Sequence, residues 1–405
     1  MTIRRFFDVI VVGGGIAGST LAGVLARSGL GVLGVEKETR FRDRVRGETT
    51  WPYGVADALL MGLHDLFAQA ETIEIPEVQT YENQQVIETY TWATDSVDGL
   101  SEIGFLHPRM QEAAFTWAAA QGATMLRPAK ATGFAANGVS AVTVAQDGQE
   151  VEYRARLIVG ADGKQSLVRR WTGGDSVADA EHHRFGGVLV TGVKTNDRQA
   201  DNVGRVAIEA VNWFAVSAEE TRLYVVMTAE RLRETGVGSS FTALIDFASQ
   251  VMPEGALDGV EQAGPIGFFA NSDTWASQVA GNDVVLVGDA AGAPDPTIGH
   301  GTALLFHDVR ALSELLLAER NWSAACAAYA QRRDRYYAVV RANDRWKNQV
   351  SMDTGDDADR LREGNARAKD LDPTLGGFEL LEARGPDGLV ADETARRMYF
   401  GEDLA

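Results

Sequence analysis

A chain of 405 residues with 38 basic and 57 acidic side chains carries a net charge of -19, which opposes binding to nucleic acid or to anionic membrane surfaces. Its composition, 45% apolar and 23% charged, is that of a globular protein with enough core for two lobes. One cysteine, Cys326, rules out an internal disulfide and a cysteine-based metal cluster, and a reducing, cytoplasmic setting is expected.

In chain order, residues 7–12 read as a buried strand, 17–28 as a helix and 31–35 as a second buried strand, which together make a βαβ unit. The apolar run behind Arg4-Arg5 has the look of a signal peptide or membrane anchor, but its glycines argue otherwise. Gly13, Gly14 and Gly15 inside a helix would cost about 1 kcal/mol each relative to alanine, whereas a strand, a tight turn and a helix use all three. Two further apolar strands, 157–159 and 284–287, run into Ala161-Asp162-Gly163 and Gly288-Asp289. Between them, from about 185 to 269, alternating segments such as FGGVLVTGV and RLYVVMT predict an antiparallel sheet, with residues 217–220 as a polar turn. From Leu304 apolar residues recur at helical spacing, and beyond about Ser351 a charged stretch broken by Asp-Pro, Gly-Gly and Gly-Pro predicts short surface helices and loops with no site.

Gly13-Gly14-Gly15-Ile16-Ala17-Gly18 is a G-x-G-x-x-G run that follows a strand and opens a helix, the context in which it binds a dinucleotide. The first glycine permits the turn, the second lets a pyrophosphate approach the backbone, and the third lets helix and strand pack. The phosphates then rest on the helix N-terminus, where unpaired N–H groups and the dipole favour negative charge. Glu36 ends the second strand at the place where an acid accepts hydrogen bonds from the adenosine ribose. NAD and FAD satisfy these residues equally well.

Three more segments separate the two. Gly160-Ala161-Asp162-Gly163-Lys164-Gln165-Ser166-Leu167-Val168-Arg169-Arg170, Gly288-Asp289-Ala290-Ala291-Gly292 through Pro296 to Gly299-His300-Gly301, and Arg44-Val45-Arg46 behind Glu36-Lys37 follow the fingerprint. In this combination the chain resembles the FAD-dependent aromatic hydroxylases of the para-hydroxybenzoate hydroxylase type over most of residues 7–320. The resemblance implies that Asp162 supports FAD and nicotinamide binding, that Asp289 meets the ribityl chain, and that the following loop lies against the flavin pyrimidine. It also places Arg44 and Arg46 near the pyrophosphate and the substrate cavity, and Arg109 on FAD. Candidate cofactor contacts are thus Gly13, Gly15, Ile16, Ala17, Gly18, Glu36, Lys37, Arg44, Arg46, Arg109, Asp162, Asp289, Pro296, Gly299 and Gly301. Two positions depart from the family pattern: Gly292 stands where histidine is usual, and His300 where glutamine is common.

The implied fold is α/β: a Rossmann-type FAD domain (residues 1–75, 100–180 and 272–345) interleaved with an antiparallel-sheet substrate domain (76–99 and 181–271), then C-terminal helices and loops (346–405). The implied activity is that of a monooxygenase: NAD(P)H reduces the flavin, oxygen adds at C4a, and the hydroperoxide passes one oxygen atom to an aromatic or polyketide-like molecule. A separate flavin reductase could supply the electrons instead. Because the cofactor performs the hard step, no catalytic dyad is expected. His300 is the one catalytic candidate, and Trp51, Tyr53, Trp213, Tyr224 and Asp295 are the substrate candidates.

Reductases of the geranylgeranyl type and flavin-dependent halogenases share this superfamily, and Gly47-Glu48-Thr49-Thr50 with Pro52 is similar to a halogenase segment. Against halogenation, no lysine stands between Lys37 and Lys130, and Trp213 lacks the Trp-x-Trp-x-Ile-Pro context. The six histidines show no metal-ligand spacing, and the length leaves no room for the extra C-terminal domain of larger phenol hydroxylases.

Overall fold

The computed structural model describes residues 5–137, 139–195, 200–206 and 208–402; Arg4 lies outside them. The strand Phe6–Val12 is apolar along most of its length because both faces are covered, as a central parallel strand requires. Five strands pair in parallel in the order Val284–Leu286, Gln149–Gly160, Phe6–Val12, Val32–Val35, Thr124–Leu126. Val12 sits beside Gly160 on one side and Val35 on the other, so the first strand ends level with its two neighbours. The chain segments that carry the three acids Glu36, Asp162 and Asp289 all leave this same carboxyl edge, where ligands of open α/β sheets bind.

The second sheet has the strand order Glu261–Gln262, Arg184–Thr191, Glu220–Met227, Glu209–Ala215, Ala200–Val206, Glu77–Glu82, Gln85–Thr91, and Gly267–Ala270 also pairs with Arg184–Thr191. All pairs are antiparallel except Ala200–Val206 with Glu77–Glu82. Strand alternation sorts the side chains onto two faces. The far face (Val188, Val190, Val211, Trp213, Leu223, Val225, Met227) packs on the helix Phe241–Ala248 and the turn after it. The near face, with Phe185, Leu189, Phe214 and Tyr224, packs on Val45, Leu106 and Met352 and so looks toward the first domain. A small sheet of Thr49–Thr50, Glu102–Gly104 and Ile73–Ile75 abuts it, close enough that a Cβ on Gly104 would lie 2.5 Å from the Ala215 carbonyl oxygen.

Two long helices finish the first domain: Gly301–Ala318, and the 30-residue Trp322–Ser351, started by an Asn321 side-chain cap. The stretch after Ser351 is helical in part, as expected, but is not confined to short surface helices and loops. It contains the 16-residue helix Asp356–Leu371, and Leu375, Phe378, Leu381, Tyr399 and Phe400 build a core around Trp346 that reaches Leu304 at the start of Gly301–Ala318. Its many charges mask a sparse set of large apolar side chains, too irregularly spaced to read as one helical stripe. Among the described residues, no helix is long and apolar enough to cross a membrane.

Candidate cofactor and substrate site

The glycine turn has the geometry a dinucleotide needs. Gly13 adopts φ +107°, and a Cβ there would meet the Ala161 carbonyl oxygen at 2.2 Å, so only glycine fits between the two strand ends. Gly18 is pressed against Gly13, its hypothetical Cβ 1.9 Å from the Gly13 oxygen. Gly15 differs: a Cβ there would make one ordinary contact, with Gln111 Nε2 at 3.6 Å, so no backbone crowds the space before this residue. Gly15 caps the helix Ile16–Arg27 without any side-chain hydrogen bond, and no acid occupies the first turn. The helix therefore presents bare N–H groups to that space, a cradle matching a pyrophosphate. Glu36 lies beside it, accepting from Gly14 N at 2.7 Å and from Glu38 N at 2.8 Å. Arg44 pairs with Glu38 at 2.8 Å and Arg109 with Glu71 at 2.7 Å, both near the surface.

Asp162 directs both carboxylate oxygens at its own turn, accepting from Ser166 Oγ (2.5 Å), Leu167 N (2.7 Å) and Val168 N (3.3 Å). This turn is tied to the Gly288–Asp289 loop by Arg169, a buried residue that sequence reasoning passed over. Its guanidinium donates to the carbonyls of Ala290 (3.0 Å), Lys164 (3.1 Å) and Asp289 (3.3 Å). A second missed pair, Asp308 and Arg333, holds the same loop from behind: Asp308 accepts from Gly288 N at 2.8 Å and from Tyr336 at 2.5 Å, while Arg333 reaches Asp308 at 3.1 Å and the Gly292 carbonyl at 3.1 Å. Nothing local in the sequence announces these residues, since each acts on a loop at least 20 positions away. The loop's one free acid, Asp289, is partly exposed. Burial pushes its carboxyl up, and the charges of Arg46, Lys164 and Arg333 oppose the rise.

The segment Val45 to Trp51 threads between this loop and the near face of the sheet. On the sheet side Tyr224 donates its hydroxyl proton to the Arg46 carbonyl, and Arg222, fully buried, donates to Glu48 at 2.5 and 3.0 Å and to Asp43 at 2.9 Å. On the loop side Trp51 Nε1 donates to the Ile298 carbonyl at 3.1 Å. The Arg46 side chain stays exposed. Glu48 thus acts as the buried partner of Arg222, a role invisible without the fold. Around Tyr224, Phe185 and Phe214 lie at ring separations of 4.7 and 5.8 Å, and Phe269 packs on Phe185 at 5.6 Å.

The remaining substrate candidates divide. Trp213 is on the far face, 1% exposed, against Tyr81 at 4.9 Å, so strand alternation takes it out of contact with the first domain. Tyr53 is buried in the helix Pro52–Leu60 beneath Gly385, and its hydroxyl meets His300 Nδ1 at 3.3 Å. Asp295 is 2% exposed and pairs with His182 Nε2 at 2.5 Å, which holds its carboxyl below the usual range despite burial. His300, the catalytic candidate, is fully buried at the start of Gly301–Ala318 and faces inward to the C-terminal region. Pro296, Gly299 and Gly301 shape the loop before it; Gly299 adopts φ +84°, and a Cβ on Gly301 would meet no atom within 4 Å.

Residues 7–343 match the family described as "FAD binding domain". The chain belongs to that family. Among curated relatives, digeranylgeranylglycerophospholipid reductase 1 of Methanococcoides burtonii is 27% identical over 308 residues, covering 73% of this chain and 70% of its own. Rifampicin monooxygenase of Streptomyces venezuelae is 24% identical over 369 residues, 85% of this chain and 71% of its own. Two solved structures share the fold. The probable FAD-dependent monooxygenase PqsL of Pseudomonas aeruginosa superposes with a TM-score of 0.70 at 20% identity, over 86% of this chain and 97% of its own. The myxobacterial chondrochloren halogenase CndH superposes with a TM-score of 0.75 at 19% identity, over 98% of each chain, so that likeness extends through the C-terminal helices. The glycine cradle, the uncapped helix starts and an Asp289 that feels the charge of Arg46 suit FAD as the resident cofactor.

Proposed function

We propose that the protein is an FAD-dependent monooxygenase that inserts one oxygen atom from O2 into an aromatic or polyketide-like small molecule, with NAD(P)H as the electron donor. The observation that carries this reading is the meeting of the glycine loop and the Val45–Trp51 segment over an aromatic sheet face. Bound FAD, once reduced, supplies the oxygen-activating chemistry. The chain's own work is to bind, orient and exclude water. The bare helix starts at Gly15 and His300 take negative charge, Arg46 adds a positive charge felt at Asp289, and Phe185, Phe214, Tyr224 and Phe269 give an apolar wall for a ring.

Protein reconstituted with FAD is expected to be yellow and to consume NAD(P)H and O2 together, faster when an aromatic substrate is added. A protein that cannot be reconstituted with FAD overturns the reading. The archaeal relative, at 27% identity, favours a second one, an FAD-dependent reductase of carbon-carbon double bonds. That enzyme turns over without oxygen, whereas a monooxygenase stops. The CndH-like fold favours a halogenase, but the stretch from 38 to 129 contains no lysine to hold a hypohalous acid.

A further inference from the structure

His300 sits between Gly299 and Gly301, at the mouth of an 18-residue helix in the loop assigned to the flavin, yet its ring points away from solvent. Tyr53 Oη is 3.3 Å from Nδ1. Nε2 faces two carboxyls of the C-terminal region, Asp344 Oδ1 at 3.5 Å and Glu382 Oε1 at 3.6 Å. The two acids are not equivalent. Glu382 is held by Lys347 Nζ at 2.6 Å in a neutral ion pair, and against the upward push of burial the charge of Lys347, joined by hydrogen bonding and charge from His300, brings its carboxyl down to about 2. Asp344 is fully buried, and among the described residues neither of its oxygens has a hydrogen-bond partner. A bare carboxylate in such a place is costly, and Asp273, Asp295 and Glu382 add repulsion that Lys347 only partly offsets, so the Asp344 carboxyl is pushed well above the usual carboxylate range.

The groups facing His300 are therefore Tyr53 from the helix Pro52–Leu60, Asp344 and Lys347 from Trp322–Ser351, and Glu382 from Leu381–Arg384. Whether the shared proton rests on Asp344 or on His300, this buried set has no net charge. Moving it costs no change in buried charge but relocates a positive charge to the start of the flavin-loop helix.

We propose that Asp344 and His300 share one proton that passes to His300 when negative charge builds on the cofactor held by this loop. In the proposed resting state Nδ1–H donates to Tyr53 Oη, while Nε2 lies unprotonated 3.5 Å from Asp344 Oδ1, a gap the pair must close for the proton to pass. When a hydride from NAD(P)H puts two electrons on the flavin, the Asp344 O–H bond breaks and an Nε2–H bond forms, leaving an aspartate and an imidazolium. The imidazolium adds to the helix dipole in stabilising the reduced cofactor. His300 is thus a positioning residue for charge, acting with a partner that only the C-terminal region supplies. The inference rests on the FAD reading above.

The test is reductive titration of the FAD-loaded protein, followed by infrared difference spectroscopy and by the flavin midpoint potential. Wild-type protein is expected to lose a protonated-carboxyl C=O band on reduction, and Asp344→Asn to lack that change. His300→Gln and Asp344→Asn are each expected to weaken reduced relative to oxidised flavin roughly tenfold, a fall of about 30 mV for a two-electron couple, and the double variant to fall no further than either single. A wild-type difference spectrum without a carboxyl band overturns the proposal even if the variants misfold, and so do unchanged potentials or fully additive ones. Failure of the wild-type protein to bind FAD instead overturns the cofactor reading.

Discussion

The two faces of the antiparallel sheet are built from the same strands yet serve different ends. The far face is mostly apolar: Trp213 fills space against Tyr81 and the helix Phe241–Ala248, with Asn202 and Gln79 buried beside them. The near face sets Arg222, Asn212, Asp201 and the Tyr224 hydroxyl among Phe185 and Phe214. Polar groups buried on a sheet face need partners: Arg222 and Tyr224 find them on the segment that carries Arg46 and Glu48, and Asn212 and Asp201 in each other. The difference teaches that the sheet grips the cofactor domain through a few paired polar groups set in an otherwise apolar face.

The comparison is broken most severely at Arg222. Arg222→Ala strands Glu48 in the core without a partner, and denaturant unfolding is expected to show a loss of about 3–5 kcal/mol. Trp213→Ala removes a comparable amount, about 3–5 kcal/mol, through the cavity it leaves. The two differ in the cofactor. The visible spectrum of bound FAD should be unchanged in Trp213→Ala and perturbed in Arg222→Ala, whose loss frees the Val45–Trp51 segment; a perturbed spectrum in the tryptophan variant would refute the division of faces.

Tyr224→Phe deletes one hydrogen bond to the Arg46 carbonyl, for an expected loss of about 0.5–1.5 kcal/mol. A further effect is one of pH. Asp201, buried with Asn212 as its one hydrogen-bonding partner at 2.6 Å, is raised to about 7 by burial. The folded protein then binds a proton that the unfolded chain releases near about 4, so this contribution is complete at low pH and is lost as pH rises toward 7. Stability curves of Asp201→Asn and wild type should converge below that window and separate through it, with the variant the less pH-dependent. Parallel curves would show that Asp201 does not titrate there.

What could be read in the sequence was what depends on neighbours in the chain. The turn at Gly13, the uncapped helix after it and the alternation of RLYVVMT are local, and each element appears within a few residues of its expected place. Which aromatic faces the cofactor domain is set by strand register, a long-range property, so Trp213 and Tyr224 looked equivalent until the pairing of Trp213 with Leu223 and of Asn212 with Tyr224 was seen. The ties of Arg169, Arg222, Asp308 and Arg333 are likewise invisible, because a buried cation reads as a surface charge until its partner folds against it. The same holds for His300, whose glycine setting is local but whose partners Asp344 and Glu382 come from 44 and 82 residues further on.

The central claim is that the protein transfers an oxygen atom. Turnover of a panel of phenols and polyketide-like aromatics under isotopically labelled dioxygen, with FAD and NAD(P)H present and products read by mass spectrometry, tests it most directly. The account predicts a product carrying one labelled oxygen atom. An unlabelled product richer by two hydrogens, or a halogenated one formed in the presence of halide, would contradict it.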